Sequence, residues 1–259
     1  MSLVAGLALA ETAVESANIV GYQDFGGFGN FNLTAITFEP IEGESFTLKD
    51  ISVNEKFDNN GDYISVFEGG TKVFEVSYLN EGDGDYGEPA GWYIRSHFLD
   101  DWEFPAKDCK DDYVLGKGKG IVFNRNSNGA AIRYKGQVQS KDFTFGGFGN
   151  FNITANNTPV DIKLGDILPN EKFDNNGDYI SVFEGGTKVF EVSYLNEGDG
   201  DYGEPAGWYL RSHFLDDWEF PAKDCKDDYV LPAGKGFVFN RNSNGAAIIL
   251  PNPMPEESK

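Results

Sequence analysis

The chain is 259 residues long and carries 42 acidic against 21 basic residues, a formal net charge of −21. That charge repels phosphate backbones and anionic head groups, which sets aside nucleic acid and membrane surfaces as partners. Aromatic residues make up 15%, glycines number 32, and no run of helical period follows the first 17 residues, so the composition predicts an all-β chain rich in turns.

Residues 1–17 open with an eight-residue apolar run, Leu3 to Ala10, far short of the roughly 20 residues that cross a bilayer. The run ends in Ala-Leu-Ala, as a secretory signal does before its cleavage site, although a basic leader is missing; export to the cell surface or medium is the expectation. Membrane insertion is not expected. Strand signals follow in NIVGYQ, FNLTAITFEPI and SFTLKDISV. DYISVFEGGTKVFEVSYL then reads as a β-hairpin, with Ile64, Val66, Val73, Val76 and Tyr78 on apolar positions around a Glu-Gly-Gly-Thr turn. GWYIRSHFL, GIVFNRN and AAIRYKGQV complete eight or nine short strands.

The pattern then restarts. Residues 54–115 recur at 170–231 with one change, Ile94 to Leu210; FGGFGNFN at 25–32 recurs at 145–152, and FNRNSNGAAI at 123–132 recurs at 239–248. Two units result, 18–134 and 135–251, each long enough to hold a core of its own, followed by a tail at 252–259. Two tandem, similar β-sandwich or small β-barrel domains of about eight strands each are predicted. VQSKDF joins them without a Gly, Ser or Pro run, so AIRYKGQVQSKDFTF predicts a fixed junction and even a continuous strand. Pro159, Pro169, Pro232 and Pro251 fall between the predicted strands.

The order GFGNFNL, D-x-ISVFEGG, GWY, GKGIVFNRN and AAI resembles an all-β repeat of uncharacterised secreted bacterial proteins. In that pattern a G-x-N-L-I opening strand pairs with a late G-K-G-[FY]-x-V strand; here the late strands read GKGIVF (118–123) and GKGFVF (234–239). The opening strands carry Phe where the pattern more often has Trp. The resemblance covers nearly all of each unit and implies an extracytoplasmic β domain without an assigned activity.

Charge is concentrated in the duplicated block, where 54–115 holds 15 acidic and 5 basic residues and its copy holds the same. Oxygen ligands at alternate positions of a tight turn suit a hard cation, which takes six to eight oxygens in the case of calcium. Asp58, Asn60 and Asp62 form one such array; Asp83, Asp85 and Glu88, spaced by glycines, form another. Their copies are Asp174, Asn176, Asp178, Asp199, Asp201 and Glu204. Neither array has the spacing of an EF-hand loop, and ordinary hairpin chemistry uses the same residues. Calcium is the expected cofactor. PAGWYIRSHFLDDWEFPAKD sets Trp92, Tyr93 and Trp102, with copies Trp208, Tyr209 and Trp218, among carboxylates, a composition that suits sugar rings; the competing assignment is core packing.

Cys109 and Cys225 occupy equivalent places, so neither unit can close an internal disulfide. No phosphate loop, zinc pattern or Gly-x-Ser-x-Gly elbow occurs. The sequence therefore predicts an exported, non-enzymatic surface or structural protein that engages an extracellular protein or glycan, or itself, through duplicated acidic loops. A secreted carbohydrate-binding or carbohydrate-active protein working through GWY…DDWEF is the alternative.

Overall fold

The computed structural model describes residues 20–251 apart from 27–29, 37–39, 41–44, 69, 82–86, 102, 117–118, 138–141, 148, 157, 159, 199–202 and 218. The terminal segments 1–17 and 252–259 lie outside this range. The chain is all-β, with 43% of residues in strands. In the first unit the strands are β1 (Val20–Phe25), β2 (Phe31–Ala35), β3 (Ile51–Val53), β4 (Tyr63–Glu68), β5 (Thr71–Leu79), β6 (Gly91–Ile94), β7 (Gly120–Asn124) and β8 (Ile132–Gln137). The second unit continues with β9 (Phe143–Phe145), β10 (Phe151–Ala155), β11 (Ile162–Lys163), β12 (Leu168–Pro169), β13 (Tyr179–Glu184), β14 (Thr187–Leu195), β15 (Gly207–Leu210), β16 (Val230–Leu231), β17 (Gly236–Asn240) and β18 (Ile248–Leu250).

Each unit builds the same two principal sheets. Five strands run β2-β7-β4-β5-β6 in the first and β10-β17-β13-β14-β15 in the second; three run β1-β8-β3 and β12-β18-β9, and β11 pairs β16 separately. All pairings are antiparallel, as the short connections require. The pairing of β11 with β16 in the second unit shrinks to one bridge, Thr47 to Val114, in the first.

The hairpin forms where the glycines predict it, with Glu68 opposite Thr71 and Ile64 opposite Val76. In the second unit Gly185 and Gly186 take φ of 53° and 83°, the positive angles that a two-residue primed turn demands. A bulge between Val66 and Phe67 shifts the alternation. Val73, three residues before Val76 and so on the opposite face of the strand, is 46% exposed, while Val76 is fully buried. GWYIRSHFL is strand only over Gly91–Ile94; it then leaves the sheet in a wide helical turn at His97–Asp101. Pro169 lies within β12 and not between strands, which its place on a sheet edge permits. On either side of the junction β8 pairs with β1 and β3, and β9 pairs with β18; residues 138–141, on which the continuous-strand expectation falls, lie outside the described residues.

Each unit has its own core. Ile51, Ile132 and Tyr134 from the three-stranded sheet meet Ile64, Val66, Val76, Trp92, Ile121 and Phe123 from the five-stranded one. The second core repeats this with Ile167, Ile248, Ile180, Val182, Val192, Trp208, Phe237 and Phe239. Burial of this apolar area is what holds each unit together.

The expectation of two tandem β-sandwich or small β-barrel domains needs correction. Among the described residues every strand order is open-ended and no sheet closes into a barrel, and the arrangement is four-bladed and propeller-like. The two units also meet in a third cluster: Leu33 and Val122 of one five-stranded sheet pack on Ile153 and Val238 of the other, with Phe67 and Phe183 beside them. Faces that two free modules would turn to solvent are here turned to each other.

Candidate functional site

The acidic turn 58–62 is built from its own backbone. Asp62 is fully buried, and its carboxylate accepts the Asp58 N–H at 2.8 Å, the Asn126 N–H at 2.6 Å and the Ser127 N–H at 2.9 Å. The Asp58 carboxylate accepts the Asn60 N–H at 3.1 Å. Asp178 holds Asp174, Asn242 and Ser243 in the same way, and Asp174 accepts from Asn176. These oxygens face amide protons, so Asp62 and Asp178 act as clamps that tie the turn to the segment after the seventh strand. Among the described residues no group of three or more His, Cys, Asp or Glu side chains stands close enough to hold a metal ion. Asp83, Asp85, Asp199 and Asp201 lie outside the described residues.

The aromatic expectations divide. Trp92 and Trp208 are fully buried, and Tyr93 and Tyr209 are 1% exposed, so these four are core residues and do not face a ligand. The reason is pairing: the Trp92 indole N–H donates to the Ile51 carbonyl at 3.0 Å, its ring meets Phe57 and Tyr78 edge-on, and its backbone N–H donates to Asp111 at 2.7 Å. Trp208 repeats each of these contacts with Ile167, Phe173, Tyr194 and Asp227. The partners are distant in sequence, which is why periodicity alone left the choice open. Trp102 and Trp218 lie outside the described residues.

Behind the sixth strand the chain forms a small lobe on a second apolar cluster of Leu79, Tyr93, Phe98 and Phe104. His97 Nε2 lies 3.1 Å from Asp108 Oδ2 and tethers the wide turn to the 3-10 turn at Ala106–Asp108. The Tyr93 hydroxyl donates to the Pro89 carbonyl at 3.2 Å, fixing the end of the glycine-broken loop. Burial, helped by Cys109, Asp111 and Glu88 nearby, pushes the Tyr93 phenol up to about 12. Burial likewise raises the Cys109 and Cys225 thiols, both free, away from the thiolate form.

Between the loop and this lobe opens a pocket of about 330 Å³ lined by Glu88, Glu103, Phe104 and Pro105. Its copy, about 390 Å³, is lined by Glu204, Glu219, Phe220 and Pro221. The Glu88 Oε2 atom is buried and has no hydrogen-bond partner among the described residues. Of the proposed metal ligands, then, Glu88 and Glu204 stand on a cavity, while Asp62 and Asp178 are used up inside the fold. Glu103 and Glu219 complete the pocket; in the sequence they stand in the DDWEF segment, whose carboxylates suit a sugar beside the aromatics and are not read as metal ligands. No family model, curated protein or solved structure matches the chain.

Proposed function

We propose that the protein is an exported, non-enzymatic interaction protein that presents an acidic pocket in each unit, and that the Glu88 pocket takes a hard cation, calcium, which stiffens the adjoining glycine-rich loop. The observation that carries this reading is the buried Oε2 of Glu88, without a hydrogen-bond partner among the described residues, in a pocket shared with the Glu103 carboxylate. A carboxylate oxygen shielded from water without a donor costs about 1–3 kcal/mol or more, which a bound cation offsets. Asp83 and Asp85 stand within five residues of Glu88 in the sequence, and calcium draws on several carboxylates at once. The raised thiols speak against cysteine nucleophilic chemistry. The resemblance to repeats of secreted proteins, and the apolar opening segment, support export.

The test is thermal unfolding in chelator and in millimolar calcium, for the native sequence and for Glu88→Gln with Glu204→Gln. A ligand at 100 times its Kd adds about 2.7 kcal/mol, or about 5–10 °C for a chain of this size. The double variant should lose that shift. A native midpoint unmoved by calcium removes the proposal.

A further inference from the structure

The contact between the two units has a symmetry that the sequence repeat imposes. Leu33 and Ile153 are equivalent positions, as are Val122 and Val238, and Phe67 and Phe183; all six meet in one cluster. The contacts are reciprocal. A Cβ on Gly120 would fall 2.2 Å from Cγ2 of Ile153, and a Cβ on the equivalent Gly236 would fall 2.3 Å from the carbonyl carbon of Leu33. Phe151 packs over Gly70 at 3.0 Å from the same construction, and Phe31 packs over Gly186 at 3.1 Å. Residue i of one unit meets residue j of the other, and j meets i, which is the definition of an isologous interface.

A surface that pairs with a near copy of itself does not require that the copy belong to the same chain. We infer that this face is a docking surface for a second copy of the protein, with the first unit of each chain packing on the second unit of the other. All four units then keep the contacts seen in the single chain, so exchange leaves the number of buried residues unchanged. What differs is linkage. Only five residues separate Gln137 from Phe143, and short hinges between exchangeable elements favour such swapping. A short tether sets an effective concentration on the order of 1 mM for the closed, single-chain form. Exchange should therefore be even with closure near ~1 mM protein and about a hundredfold rarer at ~10 µM. This inference does not depend on the acidic pockets, whose lining shares no residue with this cluster.

The full-length chain is unfolded in denaturant with reductant present, refolded at ~10 µM and at ~1 mM, and its mass measured by light scattering after gel filtration. The expected result is a species of twice 28.6 kDa that holds about half of the chains at ~1 mM and only about 1–2% of them at ~10 µM. Two mass-tagged versions refolded together should give the mixed dimer. Deleting Gln139 and Ser140, which hinders closure within one chain, should raise the dimer share at ~10 µM about tenfold or more. Gly120→Val with Gly236→Val should abolish the dimer while buried-Trp fluorescence shows both cores intact. A chain that stays monomeric at ~1 mM and after the linker deletion overturns the inference. So does a dimer that survives the paired valine substitutions.

Discussion

Replacing Asp62 by Ala removes a carboxylate that receives three backbone N–H groups, from Asp58, Asn126 and Ser127, and leaves the fully buried site without an acceptor. Hydrogen bonds to a charged acceptor contribute about 1.5–3 kcal/mol each. The surrounding segment is partly exposed at Asn60 and Ser127, so water can satisfy some of the stranded donors, and a net loss of about 3–4 kcal/mol is expected. Urea unfolding followed by circular dichroism measures it, with the midpoint falling and the slope unchanged for the affected transition. Asp178→Ala should cost the same amount, because Asp178 makes the same three contacts in the second unit. The pair should add, since the sites share no partner. The loss must also be the same with calcium as with chelator, because a clamp acts on the backbone and needs no ion. A loss under about 1 kcal/mol, or one seen only in the presence of calcium, would refute the assignment of Asp62 as a clamp.

Trp92→Phe forfeits the indole bond to Ile51 and part of a ring that touches Phe57 and Tyr78. It should lower stability by about 2–3 kcal/mol in the same urea assay, and it should not alter ligand binding, as a sugar-facing tryptophan would. Alkaline titration at the tyrosinate absorbance should show Tyr93 and Tyr209 ionising near 12, above the ordinary 10.0. A phenol whose folded value is raised stabilises the fold fully below 10 and loses that contribution as pH climbs from 10 towards 12. Tyr93→Phe should accordingly flatten the loss of stability over that alkaline window, and an unchanged profile would show that the phenol does not contribute.

The elements most legible in the sequence are those whose causes are local. Glu-Gly-Gly-Thr turns a hairpin because two adjacent residues must take positive φ, and only the flanking alternation is needed to see what they join. Pro169 and Val73 show the limit of that approach. An edge position excuses a proline from donating, and a valine on the face opposite Val76 stays exposed because nothing among the described residues covers it there; neither the edge nor the covering of a face is written in the neighbouring residues. The candidate site was half legible. Glu88 and Glu204 were singled out with the loops that bear them, whereas Glu103 and Glu219 arrive at the same pocket from the far side of a helical turn.

By itself the sequence determined that the chain is β-structured, acidic and written twice, because composition, alternation and identity between copies are properties of the string. The tertiary structure alone decided which carboxylates are spent. Asp62 meets donors 64 and 65 residues away, and Trp92 meets an acceptor 41 residues away. It alone decided, too, that the two five-stranded sheets face each other through Leu33, Val122, Ile153 and Val238. Alternation marks a residue as apolar or polar and assigns it to one side of a strand. What stands on that side is settled by chain closure over long distances, where burial and hydrogen-bond satisfaction choose the partner.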